Sequence, residues 1–157
     1  MAGNGSLQCT ANNEKENDMN IEYRHQISEK EYNSLREAVG WAAISPRQAK
    51  TGLKNTAFQV VAKSEGKPIG MARLISDGGY VRYIADVVVH PDYQGYAIGK
   101  TMVNMIMDYI KSELEDGERV LVFLLAAKDK EPFYKQFGFD ERPNGEYGAG
   151  MSQYITK

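Results

Sequence analysis

The chain has 157 residues, 42% of them hydrophobic and 25% charged, enough for one globular domain with a full-sized core and little room for a second. Its 19 Lys plus Arg stand against 21 Asp plus Glu, a net charge of -2, so no basic field draws in nucleic acid and small molecules are the expected partners. The single cysteine, Cys9, excludes an internal disulfide and Cys-rich metal sites. No apolar run reaches the ~20 residues that cross a bilayer and no secretory signal opens the chain, so the expectation is a cytoplasmic protein with no membrane partner.

Residues Met1 to about Asn20 are rich in Asn, Glu and Gly and poor in large apolar side chains, and read as a flexible tail before a single domain over 21–157. Ile21 to Gln26 alternates as a first strand, and Ser28 with Glu31 forms a capping box opening a helix to about Val39. Ser45-Pro46 starts a second helix, to about Lys54, carrying Arg47, Lys50 and Lys54. A meander follows, with Phe58, Val60 and Ala62 alternating, a turn at Glu65-Gly66, an extended run from Ile69 to Ile75, and a turn at Asp77-Gly78-Gly79. Tyr80 to Val89 is almost wholly apolar or aromatic, as in a central strand covered on both faces. Ala97 to Glu115 repeats its apolar residues at helical spacing until Asp116-Gly117. Val120 to Ala127 reads as a second buried strand, and Asp129 as the cap of a short helix with Pro132, Phe133 and Phe137, ending at Gly138. Phe139 resumes an extended chain, and Asn144-Gly145 turns into a last strand, Tyr147 to Ile155. The fold class is α/β (α+β): a mixed, mostly antiparallel sheet of about seven strands with helices on both faces.

The glycines of "YQGYAIGKT" raise the question of a nucleoside triphosphate loop. Such a loop needs four residues between its first glycine and the Gly-Lys pair, and starts where a strand ends. Only Tyr96, Ala97 and Ile98 separate Gly95 from Gly99, and "HPDYQ" intervenes after Val89. What remains is a helix N-terminus whose free N–H groups, from about Gly95 to Lys100, suit an anion such as a diphosphate.

The stretch "VVVHPDYQGYAIGKTMV" resembles the acyl-CoA signature Q/R-x-x-G-x-G/A of the GNAT N-acetyltransferase superfamily, with Gln94 first and Gly99 last. Downstream, "EPFYKQFGF" resembles the family's second signature, a tyrosine on a short helix followed by Gly-Phe. The resemblance covers roughly Ile21 to Lys157, with motif-level likeness between Tyr80 and Phe139. Two positions depart from the pattern: Ala97 stands where the family usually has glycine, and Ala127 where many members place a CoA-contacting asparagine.

The resemblance implies acetyl-CoA as cofactor, held by Gln94, Gly95, Tyr96, Ala97, Ile98, Gly99 and Lys100, with the pantetheine arm along Val87, Val88 and Val89. It implies Tyr134 as the general acid that protonates the departing thiolate, and backbone N–H groups near Val88 and Val89 as the oxyanion site. Lys100 meets an adenosine phosphate or is a solvated first-turn lysine. An alkylamine, with a pKa near ~10.4, must lose a proton before attack. The residues themselves offer Asp86, in an apolar strand where desolvation raises a carboxylate's proton affinity. The other reading of Asp86 is structural, bonded to backbone or to Arg73 or Arg82.

Trp41, Tyr83 and Tyr147, with Tyr80 and Met151, are candidates for an acceptor pocket, though aromatics on strands also serve as plain core. Arg47 and Lys50 either hold an acceptor's anionic group or form a wet helix face. His25 and His90 lack metal-ligand spacing, so no metal is expected, and a lone Cys9 in a polar tail argues against a covalent acetyl carrier. The expected function is transfer of acetyl from acetyl-CoA to the primary amine of a small molecule, by direct attack in a ternary complex. "DVVVHPDYQG" is also similar to arylalkylamine-type members. The alternatives are acetylation of a protein lysine or N-terminus and a non-catalytic acyl-CoA-binding module, and a homodimer is left open.

Overall fold

The structure, a computed structural model, describes residues 19–156. The expected tail, with Cys9, therefore lies outside the described residues apart from Met19 and Asn20. The elements in chain order are β1 (Ile21–Arg24), α1 (Glu29–Ala38), α2 (Pro46–Lys54), β2 (Phe58–Ser64), β3 (Lys67–Ser76) and β4 (Val81–Val89). A 3-10 turn (Pro91–Tyr93), α3 (Ile98–Ser112), β5 (Leu121–Leu124) and α4 (Glu131–Lys135) follow.

Both early helices begin on a closed hydrogen-bond exchange. The Glu31 amide donates to Ser28 Oγ at 3.2 Å while the Ser28 amide donates to Glu31 Oε2 at 2.9 Å. Gln48 and Ser45 repeat the exchange at 3.2 and 3.4 Å, with Pro46 in the first turn. The buried stripe of α1 is Tyr32 and Leu35, and that of α2 is Ala49.

The strands form one sheet in the order β1-β2-β3-β4-β5, antiparallel through β4 and parallel between β4 and β5. Parallel neighbours need a long connection, and α3 supplies it. On one face, Val60, Ala62, Ala72, Leu74 and Ile84 pack with Ile98, Met102, Ile106 and Ile110 of α3. On the other, Val61, Met71 and Val88 pack with Tyr32, Leu35 and Ala49. Truncating a side chain as enclosed as Ile106 would cost about 2–5 kcal/mol. Gly70 is required by contact: a Cβ there would lie 2.9 Å from the Val88 carbonyl oxygen and 3.2 Å from Met102 Cε.

The sheet has five strands where about seven were expected. Neither Phe139 nor Tyr147–Ile155 forms a strand. Met151, Tyr154 and Ile155 are 94%, 103% and 88% exposed. The reason lies in the local chemistry, since Gly145, Gly148 and Gly150 raise the entropy cost of ordering and offer no side chain to pack, so the apolar residues between them bury too little to repay it. Asp129 also differs from expectation. It adopts φ 66°, and Lys130 occupies the cap position of α4 without a side-chain bond.

Candidate active site

The site is built around an irregularity in β4. Met71 pairs with Val88 and Arg73 with Ala85, so two residues, Asp86 and Val87, stand against Ala72. This is a β-bulge, with Asp86 in the left-handed region at φ 51°. The extra residue inverts the inside-outside alternation: Ile84 faces α3, yet Val88, of the same parity, faces α1 and α2. The β4–β5 ladder ends just before it, at Ile84 and Leu124. Beyond that point the two strands part. Because the His90 amide bonds to Ile69 O on β3 at 2.8 Å, the antiparallel alternation turns the Val89 amide and carbonyl toward the opening. Gln94 Nε2 donates to that carbonyl at 3.1 Å, tying the loop to the strand end.

The Asp86 side chain, 13% exposed, is held by three neighbours. Its Oδ2 accepts from Arg73 Nε at 2.6 Å and from the Tyr32 hydroxyl at 2.8 Å, and Arg36 Nη1 lies 3.6 Å from Oδ1. Arg73 Nη1 also donates to Gly52 O at 3.1 Å and to Thr56 Oγ1 at 3.0 Å. The ion pair with Arg73, one of the structural alternatives for Asp86, is thus present. Arg82 instead serves the β3–β4 turn through Ser76, Gly79 and Asp77. Burial first, and the neighbouring Asp86 second, push the Tyr32 phenol above its ordinary pKa.

The loop before α3 alternates positive φ values, 88° at Gly95 and 56° at Ala97. Ala97 is the helix cap but supplies no side-chain bond. The first helical bond runs from the Thr101 amide to Ala97 O, at 2.9 Å, so the amides of Ala97, Ile98, Gly99 and Lys100 lack an acceptor among the described residues. No acidic side chain sits in that first turn, and Lys100 is exposed. Unpaired amides, a helix dipole and no competing carboxylate fit the diphosphate of coenzyme A.

Helix α4 closes on the same loop. A Cβ built at Gly99 would lie 3.5 Å from Phe133 Cζ and 3.6 Å from Val89 Cγ2, so the α3 start, the β4 end and α4 meet at one point. Phe133 packs edge-on against Phe137 at 5.3 Å and against Tyr134 at 4.9 Å. The Tyr134 phenol has no hydrogen-bond partner among the described residues. Burial first, then the nearby Tyr83, raise its pKa above the ordinary value, so it keeps its proton through neutral pH.

Comparison with known proteins identifies the lineage. The profile of the Acetyltransferase (GNAT) family matches residues 17–139. The chain belongs to this family. It is 34% identical over 122 residues to an uncharacterized N-acetyltransferase, ycf52, of Pyropia yezoensis, covering 75% of this chain and 68% of that one. A Staphylococcus aureus protein of unknown function, described as a probable acetyltransferase, superposes with a TM-score of 0.75 at 31% identity, over 85% of this chain and 99% of the other. A histone acetyltransferase, TAP1, of Glycine max is 29% identical over 127 residues, 73% of this chain and 53% of that protein. The chain is an acetyl-CoA-dependent N-acetyltransferase by this membership.

Around the GNAT centre, the three expected acceptor aromatics make separate contacts. Tyr83 stacks on Phe123 at 5.0 Å and has its pKa raised, by burial first and then by Asp86. Trp41, 38% exposed, lies 5.4 Å from the Arg36 guanidinium, which reaches Asp86. Tyr147 sits under the Arg142 guanidinium at 4.0 Å and shares with Tyr134 a cavity of about 730 Å³ between β5, α4 and residues 138–150. Tyr80 and Met151 are exposed, and Arg47 and Lys50 lie on an exposed helix face. Ala127 is exposed and accepts the Lys130 amide at 3.0 Å. His25 Nδ1 lies 2.8 Å from Gln59 O, and His90 Nδ1 accepts the Asp92 amide at 3.3 Å. Sequence reasoning missed Tyr32 and Arg36, whose i, i+4 spacing on α1 places both on the sheet side. No helix among the described residues is long and apolar enough to cross a membrane.

Proposed function

We propose that this GNAT protein transfers acetyl from acetyl-CoA to the primary amine of a small molecule, by direct attack in a ternary complex. The observation carrying the proposal is the meeting of three groups at Gly99: the unpaired amides opening α3, the end of β4 at Val89, and α4 with Tyr134. When bound, the thioester supplies an activated acyl group and a thiolate leaving group. The amides from Ala97 to Lys100 hold the diphosphate, Gln94 fixes the loop, and the Val87–Val89 stretch lines the pantetheine and turns the Val89 N–H toward the acyl oxygen. Tyr134, kept protonated by burial, delivers its proton to the departing sulfur, and the amine's proton leaves through solvent water. Tyr83, Trp41 and Tyr147 border the acceptor's approach.

The test is free thiol release from acetyl-CoA with a panel of polyamines, arylalkylamines, aminosugars and peptides. No release above background with any amine overturns the enzyme reading. Tyr134→Phe should lower kcat by about 100-fold or more while CoA affinity stays within about threefold. Unchanged turnover in that variant removes Tyr134 from the reaction. Because its pKa is raised, the alkaline loss of kcat assigned to it should set in above the phenol's usual value of about 10.

A protein amine is the second reading. Phe123 and Leu125, 41% and 57% exposed, leave the acceptor side open, and the Glycine max relative is a histone acetyltransferase by name. Release with peptides alone would select it.

A further inference from the structure

We propose that Asp86 is a positioning residue: with Arg73, Arg36 and Tyr32 it clamps the β4 bulge and so aims the Val89 amide at the acyl oxygen. The proposal rests on the acetyl-transfer reading above and assigns a task to four side chains that it leaves unused.

The backbone supplies the first reason. At Asp86, φ 51° lies in the left-handed region, uncommon for a non-glycine residue although aspartate tolerates it better than most. Its surroundings hold it there from two elements. Tyr32 and Arg36 reach the carboxylate from α1 and Arg73 reaches it from β3, while Arg73 is itself fixed to Gly52 O and Thr56 Oγ1 at the end of α2.

Occupancy supplies the second reason. Oδ2 already accepts two hydrogen bonds, at 2.6 and 2.8 Å, and Oδ1 faces a guanidinium at 3.6 Å. A substrate amine would find only Oδ1 without a hydrogen bond, beside the positive charge of Arg36.

Location supplies the third. The bulge begins two residues beyond Ile84, whose pairing with Leu124 is the last of the β4–β5 register, and it inverts the facing of Val87, Val88 and Val89. The side chain that fixes the bulge therefore sets where the Val89 amide points. The grip on the diphosphate is separate, since it belongs to the loop at Ala97–Lys100.

The experiment is 13C NMR of acetyl-CoA labelled at the acetyl carbonyl, bound to the full chain, with calorimetric titration of CoA in parallel. In the wild type the carbonyl resonance should move downfield on binding, as donors polarise it. In Arg73→Ala it should return most of the way to the free value while CoA affinity stays within about threefold. Asp86→Gly, which tolerates positive φ but has no carboxylate, should lose the shift too. Asp86→Asn, which keeps an acceptor for Arg73 and Tyr32, should recover much of it. Arg73→Lys serves if Arg73→Ala does not fold, because it keeps the charge and loses the Nε bond. A wild-type downfield shift in folded Asp86→Gly, Arg73→Ala or Arg73→Lys overturns the clamp, and in Asp86→Gly it returns the carboxylate to the candidates for the base. A wild-type protein that does not bind acetyl-CoA overturns the acetyl-transfer reading and the clamp together, whereas binding without dependence on Arg73 overturns the clamp alone.

Discussion

The first turns of α1 and α3 solve the same problem in opposite ways. At α1 the Ser28 and Glu31 side chains pair two of the amides, with Glu29 and Glu31 adding negative charge where the helix dipole is positive. At α3 the cap is an alanine in the left-handed region, no side chain closes the turn, and no acid enters it. A helix that folds for stability alone gains about 1 kcal/mol from a cap. That α3 forgoes this, and adds the strain of Ala97, indicates that its amides are kept for something brought from outside, in line with stability given up at a functional site.

The sharpest way to break the contrast is to give α3 what α1 has. Ala97→Asp places a carboxylate at the open turn, where it favours the helix by about 0.3–1 kcal/mol and repels a diphosphate. CoA affinity should fall at least about tenfold, which is about 1.4 kcal/mol, while the melting temperature holds or rises. Calorimetric titration and a thermal melt on one preparation read both signs. Equal CoA affinity in this variant would mean that the amides are not the diphosphate site.

How much of this could be read in advance depends on how local the cause is. The two capping boxes are four-residue patterns and the α3 loop is a contiguous one, so each is legible where it stands. The bulge is not. In "VRYIADVVV" nearly every residue suits a strand buried on both faces, so an inverted alternation leaves no trace in hydrophobicity. The choice between Arg73 and Arg82 as partner of Asp86 was equally closed to inspection, because only the β3–β4 register puts Arg73 opposite Ala85 and leaves Arg82 to the turn. Arg36 lies 50 residues from Asp86 in the chain and reaches it only because α1 packs on the sheet. At the C-terminal end the error was the reverse: a turn signal at Asn144-Gly145 and a few aromatics suggested a strand, although the glycines after it carry too little side chain to hold one.

The self-capped side of the comparison is tested by undoing it. Ser28→Ala should cost about 1 kcal/mol of unfolding free energy, read as a lower urea midpoint, with CoA affinity unchanged. Ala97→Gly acts with the opposite sign at α3. It relieves a left-handed alanine, worth about 1–2 kcal/mol, and returns about 0.5–1 kcal/mol as glycine entropy. A net gain of about 0.5 kcal/mol should appear with CoA affinity undiminished. A destabilised Ala97→Gly would show that the methyl group contributes packing that outweighs its strain.

The smallest effect belongs to pH, and it separates the two helix starts without touching any ligand. Glu31 has its pKa lowered from 4.5, first by the Ser28 amide, then through the Ser28 hydroxyl and Lys63, against a raising contribution from burial. A carboxylate with a depressed folded-state pKa adds stability that is present above its unfolded value and is lost as pH falls through the folded one. Glu31→Gln keeps an acceptor for the Ser28 amide but cannot titrate. Urea unfolding should therefore find the wild type more stable than Glu31→Gln at pH 7, with the gap closing as pH drops below about 4.5. A gap that stays constant down to pH 3 would mean that the box at α1 works through hydrogen bonds alone. The charge difference between the two helix starts would then carry no weight for folding, leaving only the diphosphate to read it.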